Sequence, residues 1–372
     1  MIGLLAVVVV ACAVGIPLAV MGRHHAVQPL GGPTTTTVPA TKHDSVQLGI
    51  DVWWKNHPKV SFAKEQVEAT SIVNYAATDL HANMIAVSFP IYTSSFTSVN
   101  VVPGPGTPST NEIKMLTDTA RAAKLGVEFR PLLQVGYAKY MWRGLIHPSD
   151  VTTFFDNYAI ALKPYMLLAQ QLKVSEVIYA SEFLSISQSS NYSADWAHLV
   201  SVLSTEYHGP LAYAESGAQF LAGSSIVPDL ATHGEHTDAY FGAPGETPTA
   251  PASKLYDSWA SKFDAMSASR TSKTILQEVG FYAGPTGYEE PQTVVGGPTN
   301  PKYLFMQKVW FSMVCQIVQN FHLAGVYFWN LDFNIDPNTT ASDATDLGPT
   351  DWVNRPGAQA IAACFSSFAS TS

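Results

Sequence analysis

Two glutamates stand where apolar segments end, a position in which a carboxylate is costly for a hydrophobic core and useful for chemistry. Glu182 ends the run Val177-Ile-Tyr-Ala-Ser, and Glu278 follows Thr274-Ile-Leu-Gln. Hydrolysis of a glycosidic bond needs one carboxylic acid that protonates the leaving oxygen and one carboxylate that attacks carbon or activates water. The two glutamates supply that pair if the fold brings them together. The other interpretation of either glutamate is an ion pair with Arg130 or Arg143.

Aromatic residues occur near the ends of similar apolar segments. Sugar rings have apolar C–H faces on which a Trp or Tyr at a cleft wall can stack while its polar tip binds hydroxyl groups. The aromatic residues in these positions are Trp53, Trp54, Tyr140, Trp142, Tyr240, Tyr282 and Trp329. Together with the two glutamates they indicate a carbohydrate cleft.

The elements that must position these residues alternate between short apolar segments and longer segments with helical periodicity. The predicted strands lie at residues 47–53, 83–89, 126–133, 175–181, 210–215, 236–241, 274–280 and 323–330. Helical segments with capping signals lie between them. Eight such units predict a (β/α)8 TIM barrel. Because all strand C-termini open on one face of that fold, Glu182 after strand four and Glu278 at strand seven are expected to share a pocket.

The N-terminal region differs from the rest of the chain. Residues 2–21 form an uncharged apolar run that is long enough to cross a bilayer as a helix. We interpret residues 1–28 as a signal peptide or membrane anchor, with cleavage, lipidation and retention as open alternatives; every one of them exports the remaining chain. Residues 29–44, rich in Pro and Thr, are predicted to be a linker. Residues 45–372 then form one catalytic domain, extracellular or at the cell surface.

The composition narrows the possible partners. Charged residues make up 13% of the 372 residues and the formal net charge is −9, which argues against a nucleic acid and suits a neutral polysaccharide or oligosaccharide. We expect a monomer without cofactor or metal, since His233-Gly-Glu235-His236 lacks the spacing of a helical zinc motif. Cys315 and Cys364 can form one disulfide in an exported protein, or remain two buried thiols.

Five motifs carry a resemblance to a known family. They are Tyr140-Met-Trp142-Arg143-Gly144, Tyr179-Ala-Ser-Glu182-Phe, Thr237-Asp-Ala-Tyr240-Phe, Gln277-Glu278-Val-Gly280-Phe and Tyr327-Phe-Trp329-Asn330. With these motifs the chain resembles the clan A retaining glycoside hydrolases, and most of all the family 113 β-mannanases, over about residues 47–335. The resemblance implies retaining hydrolysis of a β-linked, mannan-like glycan.

The resemblance also implies roles for single residues. Glu182 corresponds to the acid/base, Glu278 to the nucleophile, Tyr240 to a phenol that orients the nucleophile, and Trp329 to the platform under the sugar. The predicted substrate-binding residues are Asp51, Trp53, Arg130, Trp142, Arg143, Ser181, Tyr240, Tyr282 and Trp329. Ser181 departs from the clan, which commonly has asparagine there to contact the sugar 2-hydroxyl.

Two alternative functions remain at this stage. Gly49-Ile50-Asp51-Val52 resembles the opening of muramidase barrels, but these carry an Asp-x-Glu pair at strand four, where this chain has Ala180-Ser181-Glu182. A catalytically silent barrel that binds polysaccharide at the cell surface is the other alternative. Such a binder needs the aromatic residues and not the acids, so the presence of both glutamates favours an enzyme.

Overall fold

The computed structural model describes residues 46–56, 59–136, 141–227, 235–293, 299–344 and 347–369. The predicted leader (1–28) and linker (29–44) lie outside these ranges, as do Tyr140 and His233, so those predictions stand as made. Within the described ranges, no helix combines the length and the apolar character needed to cross a membrane.

Eight parallel strands close into a barrel in chain order, and β1 pairs with both β2 and β8. The strands are β1 (Gln47–Trp53), β2 (Met84–Thr93), β3 (Gly126–Val135), β4 (Glu176–Ser181), β5 (Leu211–Ser216), β6 (Glu235–Asp238), β7 (Thr274–Val279) and β8 (Gly325–Asp332). The predicted (β/α)8 TIM barrel is confirmed. Strand β6 is shorter than predicted, because the chain turns after Asp238 and the Tyr240 amide donates back to the Asp238 carbonyl at 3.0 Å.

Helices surround the barrel and bury one face each against the strands. They are α1 (Phe62–Asn74), α2 (Thr110–Ala122), α3 (Val151–Leu172), α4 (Leu184–Ser187), α5 (Ser193–Glu206), α6 (Gly217–Ala222), α7 (Ala252–Asp264), α8 (Ala268–Thr271), α9 (Leu304–Asn320) and α10 (Pro356–Ala369). Helix α2 begins with a capping box formed by Ser109 and Glu112, which satisfies backbone donors that the first turn leaves free. Most of the apolar core lies between these helices and the outer surface of the strands.

A disulfide joins the last two helices. Cys315 of α9 is bonded to Cys364 of α10, so the disulfide interpretation applies and the free-thiol interpretation does not. The bond closes a loop with a sequence separation of 49 residues. In the chain-entropy account, a loop of that size stabilises the fold by about 4 kcal/mol.

A polar cluster fills the barrel interior below the mouth. His236 donates from Nδ1 to Gln277 Oε1 at 2.6 Å, and its Nε2 lies 3.4 Å from Glu176 Oε2. Gln277 in turn donates to the carboxyl group of Glu128. Burial raises the pKa of Glu128 to about 8. Burial would lower the pKa of His236, but the Glu176 carboxylate outweighs it and raises that pKa to about 9.

These shifts predict that the protein is less stable in alkaline solution. Glu128 and His236 both bind protons more tightly in the folded state than in the unfolded chain, so their contribution is complete at low pH and is lost as the pH rises through about 8 and about 9. We expect the melting temperature to fall by at least about 2 °C between pH 6 and pH 9, as measured by calorimetry.

The control for this prediction is the near-isosteric Glu128→Gln variant, whose amide cannot titrate. The melting temperature of Glu128→Gln should depend less on pH than that of the wild type. Glu289→Gln removes an exposed carboxylate, and its melting temperature should show the same pH dependence as the wild type. Equal pH dependence in Glu128→Gln and wild type would contradict the assignment.

Candidate active site

The two glutamates lie at the same mouth of the barrel. Glu278 is the penultimate residue of β7, and Glu182 is the first residue after β4. Glu182 has a φ of 56°, in the left-handed region that residues other than glycine rarely adopt. Its amide donates to the Ala214 carbonyl and its own carbonyl accepts from the Leu184 amide, both at 2.8 Å. The neighbouring backbone therefore holds this residue in an uncommon conformation, as is typical of functional positions.

Arg130 of β3 is fully buried at the centre of the mouth. Its Nη1 donates to Glu278 Oε1 at 2.6 Å and to Asp51 Oδ2 at 2.9 Å. Its Nη2 donates to Asp238 Oδ1 at 2.7 Å and to Ser181 Oγ at 3.3 Å. One guanidinium thus binds side chains from β1, β4, β6 and β7. Hydrogen bonds to carboxylates are the strongest of this kind, so Arg130 fixes Glu278 within the barrel.

Arg143, in the loop after β3, joins the two glutamates. Its Nη2 lies 3.3 Å from Glu182 Oε2 and 3.8 Å from Glu278 Oε1. These two oxygens are therefore no farther apart than the sum of the two contacts. That limit is consistent with the separation of about 5–5.5 Å between the carboxyl groups of retaining glycosidases.

The surroundings of the two glutamates differ. Burial raises the pKa of Glu182, against the opposing effect of the Arg143 guanidinium. Trp142 donates from its indole nitrogen to Glu182 Oε2 at 2.9 Å. Near Glu278 lies the Tyr240 hydroxyl, whose pKa is raised by burial and by the Glu278 charge, so it keeps its proton and donates it in a hydrogen bond to Glu278.

Aromatic rings line one side of the mouth. The half-buried rings of Trp53 and Trp329 lie 5.7 Å apart between centroids, and the Arg130 guanidinium lies 5.7 Å from the centroid of Trp329. A Cβ atom at Gly280 would lie 2.8 Å from the Tyr240 hydroxyl and 3.3 Å from the Trp329 ring. The missing side chain at Gly280 therefore lets both rings approach the end of β7.

One aromatic prediction does not match the structure. Trp54 is only 1% exposed and stacks on Phe333 with 3.8 Å between ring centroids, so it belongs to the core and not to the cleft. Adjacent residues of a strand point to opposite sides, and Trp53 takes the side that faces the mouth. Tyr282 follows β7, is half-buried and has its ring against Gly284, and its role in substrate binding stays a prediction.

The two glutamates lie at the mouth with the predicted residues Asp51, Trp53, Arg130, Trp142, Arg143, Ser181, Tyr240 and Trp329, and the ion pairs of the glutamates with Arg130 and Arg143 are present as well. Sequence reasoning missed Asp238, a fully buried carboxyl group that contacts both arginines. The signal was available, because an aspartate inside a predicted apolar strand is as costly as the two glutamates were. Burial also raises the pKa of Asp51 to about 7, against the effect of Arg130.

Comparisons with known proteins identify a matching family and similar folds. A family model described as Glycoside Hydrolase Family 113 matches residues 53–348, whereas no curated protein sequence matches the chain. A solved GH113 β-1,4-mannanase superposes with a TM-score of 0.69 at 15% identity, covering 87% of this chain and 99% of the other. The GH113 β-mannanase AaManA from Alicyclobacillus acidocaldarius, in complex with ManMIm, gives a TM-score of 0.68 at 16% identity and covers 88% and 99%.

A more distant match extends the comparison to another family. The GH5_18 enzyme from Streptomyces cattleya, in complex with GlcNAc, gives a TM-score of 0.54 at 11% identity and covers 88% of this chain and 82% of the other. At these identities the solved structures establish the shared barrel fold.

Proposed function

Because the chain belongs to glycoside hydrolase family 113, a family of retaining enzymes, we propose that it cleaves a β-linked, mannan-like glycan by double displacement. Glu278 is the nucleophile and Glu182 the acid/base. The observation that carries this proposal is the convergence of both carboxylates on one nitrogen of Arg143, at 3.3 Å and 3.8 Å. Family membership favours an enzyme over the silent polysaccharide-binding alternative.

The first half of the reaction forms a covalent intermediate. The Glu278 carboxylate attacks the anomeric carbon while Glu182 gives its proton to the departing glycosidic oxygen. Burial favours this role for Glu182, since it raises the pKa and keeps the proton in place. Arg130 and Tyr240 hold the attacking carboxylate by hydrogen bonds.

The second half releases the sugar. Glu182, now ionised, takes a proton from water as the water oxygen attacks the anomeric carbon and breaks the bond to Glu278. Two displacements at one carbon restore the original configuration. Glu182 regains its proton in this step, so the site returns to its starting state.

The substrate part of the proposal rests on the aromatic wall and on the relatives. The neighbouring rings of Trp53 and Trp329 offer stacking surface for neutral sugars, and the solved relatives of the family are described as β-mannanases. We expect hydrolysis of β-mannan to exceed that of xylan and cellulose in a panel of polysaccharides. Equal activity on xylan or cellulose would remove the mannan assignment and leave the mechanism untouched.

Export is a further part of the proposal. It is supported by the apolar segment at residues 2–21 and by the disulfide between Cys315 and Cys364, since such bonds persist in oxidising compartments. Fractionation of the native host with an antibody against the barrel tests it. Protein found only in the cytoplasm would contradict export.

The stereochemical course tests the mechanism. NMR of a mannooligosaccharide digest should show the β-anomer as the first product, before mutarotation, because two displacements retain configuration. A parallel sample with Glu278→Ala is the control for hydrolysis and mutarotation that occur without the enzyme's activity. An α-anomer as the first product would rule out double displacement.

A further inference from the structure

Asp238 connects the two arginines that hold the catalytic glutamates. Its Oδ1 accepts a hydrogen bond from Arg130 Nη2 at 2.7 Å, and its Oδ2 lies 3.8 Å from Arg143 Nη2. Arg130 also binds Glu278 at 2.6 Å, and Arg143 also contacts Glu182 at 3.3 Å. A continuous chain of charged contacts therefore runs from one glutamate to the other through Asp238.

The backbone holds Asp238 in a fixed position beside Glu278. Strand β6 is parallel to β7, and Asp238 lies opposite Glu278 where the register shifts. The amide of the next residue, Ala239, donates to the Glu278 carbonyl at 2.7 Å. Asp238 is fully buried, so its carboxylate has no water to replace its protein partners. Its position is therefore set by the same backbone that sets the nucleophile.

We propose that Asp238 is a positioning residue, which orients Glu182 and Glu278 relative to one another by holding Arg130 and Arg143 with its two carboxylate oxygens. The inference rests on the roles proposed above for the two glutamates. Asp238 does not need to touch the substrate to act in this way. Because a misplacement of about 1 Å can cost about 100-fold in rate, a residue that fixes this geometry has a measurable effect.

Only a carboxyl group meets this requirement. Two donors approach Asp238, and a carboxylate offers an acceptor oxygen to each. An asparagine has one acceptor oxygen, and its NH2 group would face one of the guanidinium groups. Asp238→Asn therefore keeps the size of the side chain and breaks the bridge at one end.

The charge of Asp238 also acts on the acid/base. The charged and titratable groups that face Asp238 are Arg130 of β3, Arg143 of the next loop, Glu182 after β4, Glu278 of β7, Asp51 of β1 across Arg130, and the Tyr240 hydroxyl. The enzyme loses activity at high pH when Glu182 loses its proton. Burial raises the pKa of Asp238, and the guanidinium groups of Arg130 and Arg143 oppose that rise. On the alkaline side Asp238 is ionised between these two groups, and removing its charge there lowers the pKa of Glu182, so this limb of the pH–rate profile should move to lower pH.

The test compares Asp238→Asn with Asp51→Asn in the full-length protein. For Asp238→Asn we expect kcat to fall about 100-fold on a mannooligosaccharide with KM within about threefold, and the alkaline limb to move down by about one pH unit. Asp51 binds the other nitrogen of Arg130, at 2.9 Å, so Asp51→Asn should leave the alkaline limb in place. An Asp238→Asn profile with an unmoved alkaline limb, at any level of activity, would overturn the proposal.

A second variant protects the test against failure of Asp238→Asn to fold. Arg143→Gln removes the positive charge beside Glu182 and should move the alkaline limb up by about one pH unit. In a double-mutant cycle, Asp238→Asn should cost less activity in the Arg143→Gln background than in the wild type, because the two residues share one bridge. Additive losses, or an unmoved limb in Arg143→Gln, would contradict the bridge.

Failure of the proposed function would look different. Turnover by Glu278→Ala, or inversion at the anomeric carbon, would refute the roles of the glutamates without any use of the Asp238 variant. Melting temperatures of all variants, measured in parallel, separate a loss of geometry from a loss of folded protein.

Discussion

Glu278→Ala is expected to abolish turnover on every substrate, by at least about 10⁴-fold, because no other group can form the covalent intermediate. The fold should survive the change, since Arg130 keeps its contacts with Asp51 and Asp238. Assays on a mannooligosaccharide and on an aryl glycoside with a good leaving group, alongside melting temperatures, measure both effects.

Azide adds a specific readout for Glu278→Ala. The ion can enter the space left by the carboxylate and attack an activated β-glycoside once, which yields the α-glycosyl azide with inverted configuration. Glu128→Gln is the matched control, because Glu128 is another fully buried carboxyl group of the barrel interior, below the mouth. It should keep activity within about threefold. Turnover by Glu278→Ala above about 1% of wild type on either substrate, measured without azide, would exclude Glu278 as nucleophile.

Glu182→Ala should separate substrates by their leaving groups. On natural glycans we expect a loss of about 10²–10⁴-fold, because the departing oxygen needs a proton. On aryl glycosides with good leaving groups the first step should proceed nearly unchanged, and the glycosyl-enzyme should accumulate as a burst. Arg143 keeps its contacts with Asp238 and Glu278 in this variant, so the pocket stays charged as before.

Azide again provides the decisive measurement for Glu182→Ala. It should restore steady turnover by attacking the accumulated intermediate, and the product should be the β-glycosyl azide, with configuration opposite to that from Glu278→Ala. If both classes of substrate lose activity equally and azide has no effect, Glu182 is not the acid/base. Asp51, a buried carboxyl group at the same mouth, then becomes the next candidate.

Most of the barrel could be predicted because local patterns determine its elements. Strand β1 was predicted at residues 47–53, as observed, since the apolar β-branched and aromatic residues there lie between the polar Ser45 and Lys55. Strand β6 was predicted too long, because Ala239 and Phe241 are buried and continue an apolar pattern after the strand hydrogen bonds have ended. Burial and strand pairing are different properties, and a sequence pattern reports mainly the first.

The site was predictable where a residue type conflicts with its surroundings. Glu182 and Glu278 stood out because each ends an apolar run. Asp238 is part of one of the motifs but was assigned no role, since its partners, Arg130 of β3 and Arg143 of the following loop, lie far away in sequence. Trp54 was misplaced because the alternation of side chains along β1 was not applied to the pair Trp53-Trp54.

The pairing of β1 with β8 means that the barrel can close only after β8 has been synthesised. Gln47 of β1 is the register partner of Gly325 of β8, so β1 lacks this partner until β8 has been synthesised. Contacts between residues so far apart in sequence slow folding. Trp329, the proposed sugar platform, is synthesised with β8 and lies beside Trp53 of β1, which is synthesised first. We therefore expect a ribosome-bound chain that ends before residue 325 to have two open sheet edges, which favour aggregation, and to lack the pair of neighbouring rings Trp53 and Trp329. We therefore expect activity only from chains that include β8.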